Sequence, residues 1–338
     1  MEGSRREDVY VLIEELDATV KETKVLLDQN GEWRSRYEGY GNRIAQNLDL
    51  IKSVRKSFRQ WDPLHIYLNT TSALEAKRTV RFGLRYHGQT VANLTGINTG
   101  KHKLSTKGYE KNSLRDFDCA IKLDGVDWAG NEAAEFRRFF KDRKDRRNAT
   151  GNKGNEEHRL ESMWLSELKK SKDKTLPYSK PVEIGKIRFP MPTPLSASNH
   201  RTIKYSGNRG GGIDILARVG TGGRNTYLCI FELKDENVSK EPPSQALRQA
   251  VVYTTFIREL IRSESGNIWW QLFGFGREIP KQLILYATCL MPSSSYNDYS
   301  FKDIELHIEE DIVKLHYVYF TEKNNRITDV DTSLKWSL

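Results

Sequence analysis

Two carboxylates and an ammonium interrupt apolar, strand-like runs in the second half of this chain. Gly212-Ile213-Asp214-Ile215-Leu216-Ala217-Arg218 carries the first carboxylate. Leu228-Cys229-Ile230-Phe231-Glu232-Leu233-Lys234 carries the second, together with the lysine. Ionisable groups at such positions are costly to desolvate unless they are paired or hold a metal. Asp214, Glu232 and Lys234 grouped around a divalent cation resolve that cost, and the group has the chemistry of a metal-dependent phosphodiesterase. Asp214 and Glu232 offer hard oxygen ligands, and the backbone carbonyl of Leu233 offers a third. Mg²⁺ suits that set, with Mn²⁺ as a substitute. Lys234 would orient or activate water, or stabilise charge in the transition state. The plainer alternative is a Lys–Glu pair on an exposed edge strand, because a D…ExK string recurs by chance.

The elements that must position these groups are readable around them. Gly220-Thr221-Gly222-Gly223-Arg224-Asn225 joins the two runs as an antiparallel hairpin. Asp214 and Glu232 are equidistant from Gly223, so a regular register sets them face to face with Cβ atoms about 5 Å apart. Glu232 and Lys234 share one face, and Phe231 and Leu233 point the other way into a core. Bare carboxylates that close repel, and a bound cation removes the conflict. Pro242, Pro243 and Ser244 signal the start of a helix over 245–262. On it Gln249 and Tyr253 lie four residues apart, stacked on one face. That face is expected to look toward the site, with Leu247, Ala250, Val251, Thr254 and Ile261 against the sheet.

These residues resemble the PD-(D/E)xK nuclease superfamily, over about Glu156 to Thr288. Asp214 matches the motif's aspartate and Glu232-Leu233-Lys234 its ExK. Gly212-Ile213 precedes Asp214 where the motif has proline, a variation the family tolerates. Gln249-Ala250-Val251-Val252-Tyr253 is similar to the QxxxY motif of the RecB-like branch. The resemblance implies a restriction-endonuclease-like α/β fold with an α-β-β-β-α-β core and a mixed sheet. It also implies that Gln249 and Tyr253 belong to the catalytic group with Asp214, Glu232 and Lys234. A glutamate on the helix before the sheet is a further family feature. Glu161 and Glu157 are candidates, with Glu161 preferred as a metal ligand because it lies nearer the apolar stripe of its helix.

The rest of the chain bounds these expectations. Its 338 residues suffice for more than one core, and 29% are charged. No run of about 18 apolar residues marks a membrane span, and the N-terminus lacks the apolar stretch of a signal peptide. Cys119, Cys229 and Cys289 show no paired spacing, which fits a reducing cytoplasm. The net charge of +9 points to a polyanion, and much of the excess falls between Lys101 and Lys174. Within it, Arg137 to Arg147 also reads as a solvated helix face, since Asp142 and Asp145 interleave.

The pattern divides the chain into a helical segment (1–62), a β-rich accessory region with a basic tail (63–150) and the α/β domain (151–338). The first segment reads as two helices separated at Gln29-Asn30-Gly31, a hairpin for self-association as a homodimer or for packing on its neighbour. Strands are expected at 64–68 and 79–86, with His87-Gly88-Gln89 turning into 90–94. Arg81 and Arg85 share a face that suits phosphate and equally suits solvent. In the last segment a helix over 156–170 precedes strands at 182–189, 213–219, 227–234 and 282–288, with one or two more over 304–320. Trp269-Trp270 reads as core more readily than as a base-stacking platform. Gly207 to Gly212 lacks the setting of a nucleotide loop and shapes the approach to the Asp214 strand. His307 and Glu309 gather no further ligands for zinc. The expected activity is Mg²⁺-dependent endonucleolytic cleavage of DNA, in defence by restriction or in repair. The alternatives are a nuclease-like core that binds nucleic acid without cutting, and a protein-interaction module.

Overall fold

The computed structural model describes residues 2–58, 61–70, 79–97, 101–109, 121–142, 153–172, 174–197, 202–302 and 304–334. The chain opens with α1 (Glu2–Gln29), α2 (Glu32–Gln46) and α3 (Leu48–Ser57). Strands β1 (Leu64–Leu68), β2 (Thr79–Tyr86), β3 (Gln89–Ile97), β4 (His102–Ser105) and β5 (Val126–Asp127) follow. Then come α4 (Ala134–Lys141) and α5 (Lys153–Lys169). Short strands β6 (Ser179–Pro181), β7 (Glu183–Ile184), β8 (Ile187–Arg188), β9 (Met191–Pro192), β10 (Leu195–Ser196), β11 (Lys204–Tyr205) and β12 (Gly212–Ile213) lead into β13 (Ile215–Gly222) and β14 (Asn225–Leu233). The chain continues through α6 (Pro243–Arg262), α7 (Gly266–Leu272), β15 (Ile284–Pro292), β16 (Glu305–Ile308), β17 (Asp311–Lys323) and β18 (Arg326–Thr332). The architecture is mixed α/β, and among the described residues no helix is long and apolar enough to cross a membrane.

The chain forms two compact units. The smaller holds Asn42–Met163 and Glu183–Pro190, and the larger holds Met1–Gly41, Trp164–Val182 and Met191–Leu338. These bounds differ from the segments 1–62, 63–150 and 151–338, because each unit gathers separated stretches of chain.

In the smaller unit the sheet order is β5-β4-β3-β2-β1-β8-β7. Leu64, Ile66, Leu68, Phe82, Leu84, Leu94 and Leu104 are buried, as are Ile51 and Val54 of α3 and Phe136 and Phe140 of α4. Alternating apolar residues explain this face. Gly96 lets α3 lie close on the sheet, since a Cβ there would come within 2.4 Å of Val54. The β2–β3 hairpin turns at His87 (φ 45°) and Gly88 (φ 78°), the left-handed pair that a two-residue turn requires. Arg81 is exposed. Arg85 lies over the Tyr67 ring at 4.2 Å and 3.9 Å from Glu161.

In the larger unit the sheet order is β16-β17-β15-β14-β13-β6, with β18 paired to β17. β6, β13 and β14 are antiparallel neighbours, whereas β15 is parallel to β14 and β17 to β15. A parallel neighbour requires a crossover, here through α6 and α7. Helix α6 is buried on every side over most of its length, as expected of a helix with a sheet on one side and helices on the other. Leu16, Val20 and Leu27 of α1 are buried, and Arg248 of α6 donates to Thr19 at 3.1 Å. Trp33 and Tyr37 of α2 meet Phe256 edge-on at 5.7 and 5.1 Å.

Several expectations are corrected. The N-terminal helices number three among the described residues, because the second run breaks at Asn47. The run 182–189 is not one strand: Gly185 (φ 59°) and Lys186 (φ 66°) fold it into the β7–β8 hairpin. A further strand, β18, lies beyond 304–320. Residues 143–152, with the end of the basic run and most of the expected boundary loop, lie outside the described residues, as does Cys119. Trp269 and Trp270 are buried, and Trp269 donates to the Tyr37 carbonyl at 3.1 Å.

Candidate functional site

The β13–β14 hairpin positions the charged groups. Its rungs run from Ile215↔Phe231 to Val219↔Tyr227, symmetric about Gly223, and the register shifts only at the tip. Asp214 lies one residue beyond the last rung, in a bend between two strands. Ile213 before it pairs with Met191, and Ile215 after it pairs with Phe231. The expected face-to-face rung of Asp214 and Glu232 is therefore replaced by a different contact: the Leu233 amide donates to the Asp214 carboxylate at 2.8 Å. Changing partner strand at Asp214 frees its backbone from the ladder and swings its side chain across the end of β14.

A carboxylate oxygen of Asp214 and one of Glu232 lie within 4.8 Å of each other. Glu232 is only 5% exposed and Lys234 9%. The Lys234 ammonium donates to Glu232 at 2.9 Å, and the Lys234 backbone amide donates to the Leu290 carbonyl at 3.0 Å. Lys234 is thus paired with Glu232, and the half-buried Asp214 carboxylate lies beside that pair. Hard oxygens at this spacing, partly open at Asp214, suit Mg²⁺ or Mn²⁺. Phe231 and Leu233 are fully buried on the other face, as alternation requires.

Helix α6 brings Tyr253 to the same place. Burial pushes the Tyr253 phenol well up, and the charges of Glu232 and Asp214 add to that. Gln249 is 2% exposed, so the face of α6 that carries it is covered. Its side-chain amide donates to the Ala197 carbonyl at 2.9 Å, while its Oε1 is buried with no partner among the described residues. Ala197 was not legible as a site neighbour, since it lies 52 residues from Gln249 and contributes only backbone. The glycine-rich segment before Asp214 pairs with the chain leading to Ala197: Thr193 donates to Gly211 at 2.9 Å and Gly211 to Leu195 at 3.0 Å. Only glycine fits at Gly210, where a Cβ would stand 1.9 Å from the Thr193 carbonyl. At Gly211 a Cβ would press on the Tyr253 hydroxyl at 3.3 Å.

Glu161 and Glu157 fall on α5, in the smaller unit. Glu161 is buried and its carboxylate meets Arg85 at 3.9 Å and His158 at 3.5 Å. Its hydrogen bond raises the His158 pKa above the ordinary value. His307 is exposed, and Glu309 is bound to Lys24 and Arg258.

Comparison of the chain with protein-family models, with curated proteins and with solved structures finds no match.

Proposed function

We propose that this chain is a divalent-cation-dependent nuclease that hydrolyses phosphodiester bonds of DNA. The observation that carries the reading is the convergence of Asp214, Glu232 and Lys234 at the open end of one hairpin, with Tyr253 of the next helix beside them. The succession α5, β6, β13, β14, α6, β15 also supports the restriction-endonuclease-like core that the D…ExK and Gln249/Tyr253 resemblance implies.

Asp214, Glu232 and the Leu233 carbonyl would hold Mg²⁺, which when bound supplies an activated water and offsets charge on the phosphoryl oxygens. The chain's own groups do the positioning. The Leu233 amide fixes the Asp214 carboxylate, and Glu232 fixes the Lys234 ammonium beside it. That ammonium is the fixed positive charge available to a pentacoordinate phosphoryl group or to the attacking water. Gln249 ties the segment at Ala197 to α6, and the Tyr253 hydroxyl remains a neutral donor across the physiological range. Glu161, the α5 carboxylate expected as a further ligand, is instead engaged by Arg85 and His158.

The test is cleavage of plasmid and single-stranded DNA in Mg²⁺ against EDTA, with Glu232→Ala and Lys234→Ala alongside. Metal-dependent cutting abolished by both substitutions is expected, and cutting indifferent to both overturns the reading. Cutting both strands of a duplex calls for two such centres, so a homodimer belongs to the proposal. Sedimentation showing only monomers at micromolar concentration contradicts that part.

A further inference from the structure

At the far end of the same hairpin, the larger unit has a cleft of about 590 Å³ whose charged lining groups are Lys172, Lys174, Lys180 and Arg218, joined by Thr221 and Thr226. No carboxylate lines it among the described residues. Lys180 of β6 and Arg218 of β13 are direct cross-strand partners, and like charges directly opposite one another are destabilising. The Lys174 ammonium donates to the Leu168 and Ser179 carbonyls at 2.8 and 2.6 Å, which fixes it in place. Burial and the neighbouring Lys180 hold its pKa below the ordinary lysine value. Arg218 donates to the Gly274 carbonyl at 2.8 Å, and a Cβ at Gly274 would come within 2.7 Å of its guanidinium. Lys174 and Arg218 are therefore set in place, with Lys172 and Lys180 exposed beside them, and the like charges form an arrangement that an anion relieves. The threonine hydroxyls add uncharged donors suited to phosphate oxygens.

We propose that this cleft binds backbone phosphates of the nucleic-acid substrate away from the cut, an assignment that rests on the nuclease reading. Strand β13 runs from beside Asp214 to the cleft. At about 3.3 Å per residue the six steps from Asp214 to Gly220 span roughly 20 Å. Along one strand of a duplex, with about 3.4 Å per phosphate, that is about six nucleotides. The cleft thus grips DNA on one side of the scissile bond, and a fragment ending within about three nucleotides of the cut does not reach it.

The experiment measures binding of two labelled duplexes to the full chain in EDTA, one of about 24 base pairs and one of about 6, across a salt series. Wild type is compared with the doubly substituted Lys172→Gln/Lys180→Gln chain and with Lys180→Arg. The double variant is expected to bind the long duplex about tenfold more weakly. Its slope of log affinity against log salt should fall by about 0.9 per lost phosphate contact. The short duplex, which cannot span from Asp214 to the cleft, should bind wild type more weakly than the long one, and Lys180→Arg should behave as wild type, which separates lost charge from lost folding. Equal binding of the long duplex by wild type and the double variant overturns the assignment, as does absence of binding by wild type at low salt. Displacement of the long duplex by inorganic phosphate at the same phosphate concentration also overturns it, identifying a free-anion site instead. Because binding is read in EDTA, absence of Mg²⁺-dependent cleavage would overturn the nuclease reading without deciding these outcomes.

Discussion

The amide of Leu233 donates to the carboxylate of Asp214 at 2.8 Å, so the residue between Glu232 and Lys234 also anchors the third charged group of the site. This contact sets up a conflict as well as a geometry, because it holds Asp214 within 4.8 Å of Glu232. Asp214→Asn keeps an acceptor for the Leu233 amide and removes one of the two like charges. In EDTA its Tm should rise by about 2–4 °C, the shift that about 1 kcal/mol produces in a domain of this size. The stabilisation that Mg²⁺ gives the wild type should vanish in the variant. Thermal unfolding with and without Mg²⁺ checks both; a variant less stable than wild type in EDTA would show that the two carboxylates do not repel.

Gln249 holds the Ala197 carbonyl from inside a helix buried on every side. Gln249→Ala leaves that carbonyl without its donor and should cost about 1–3 kcal/mol. Gln249→Glu should cost more at pH 8 than at pH 5, because an ionised carboxylate cannot donate and adds a third negative charge to the site. Urea denaturation at the two pH values tests this, and equal losses at both would contradict it.

On α5, Glu161→Gln should act on its neighbour: the His158 pKa, raised by its hydrogen bond to Glu161, should fall toward about 6.5. Proton NMR of the His158 ring measures that fall. A raised folded pKa stabilises below the unfolded value and is lost as pH rises through the folded one, so the wild-type advantage over Glu161→Gln should shrink from mildly acid to mildly alkaline pH.

The ion pair of Arg258 with Asp311, at 2.7 Å and almost wholly buried, ties α6 to β17. Arg262 and the Leu283 amide also donate to Asp311. Asp311→Asn should cost about 1.5–3 kcal/mol, because it removes the charged acceptor shared by Arg258, Arg262 and the Leu283 amide, while Arg258 keeps Glu259 and Glu309 as counter-charges. Burial alone would push the Asp311 carboxyl up, but the hydrogen bonds from Arg262, Leu283 and Arg258 outweigh it and hold the pKa below the ordinary aspartate value. A depressed carboxylate stabilises above its unfolded pKa of about 3.9, and that share is lost as pH falls from there through the folded value. Wild type should therefore lose stability more steeply than Asp311→Asn below about pH 4, as acid titration of Tm would show.

The sequence carried the hairpin well, because the symmetry of the apolar runs about Gly223 is the symmetry of the rungs from Ile215↔Phe231 to Val219↔Tyr227. It did not carry the bend at Asp214. That residue changes partner strands between Met191 and Phe231, and alternation along one segment does not reveal where its partner changes. The Gly185-Lys186 turn was visible in principle, since a glycine interrupts the run 182–189, but the apolar residues on either side concealed it. The burial of Gln249 against Ala197 depends on a loop distant in sequence that offers only a carbonyl, for which no side-chain pattern exists.

On the proposed function, Asp214 and Glu232 together hold the cation that phosphodiester cleavage uses. Anomalous diffraction from crystals of the full chain soaked in Mn²⁺ locates that cation. One peak bound by oxygens of both Asp214 and Glu232 at about 2.1 Å is expected, absent from Asp214→Asn. A well-occupied Mn²⁺ elsewhere with nothing between these two carboxylates would contradict it.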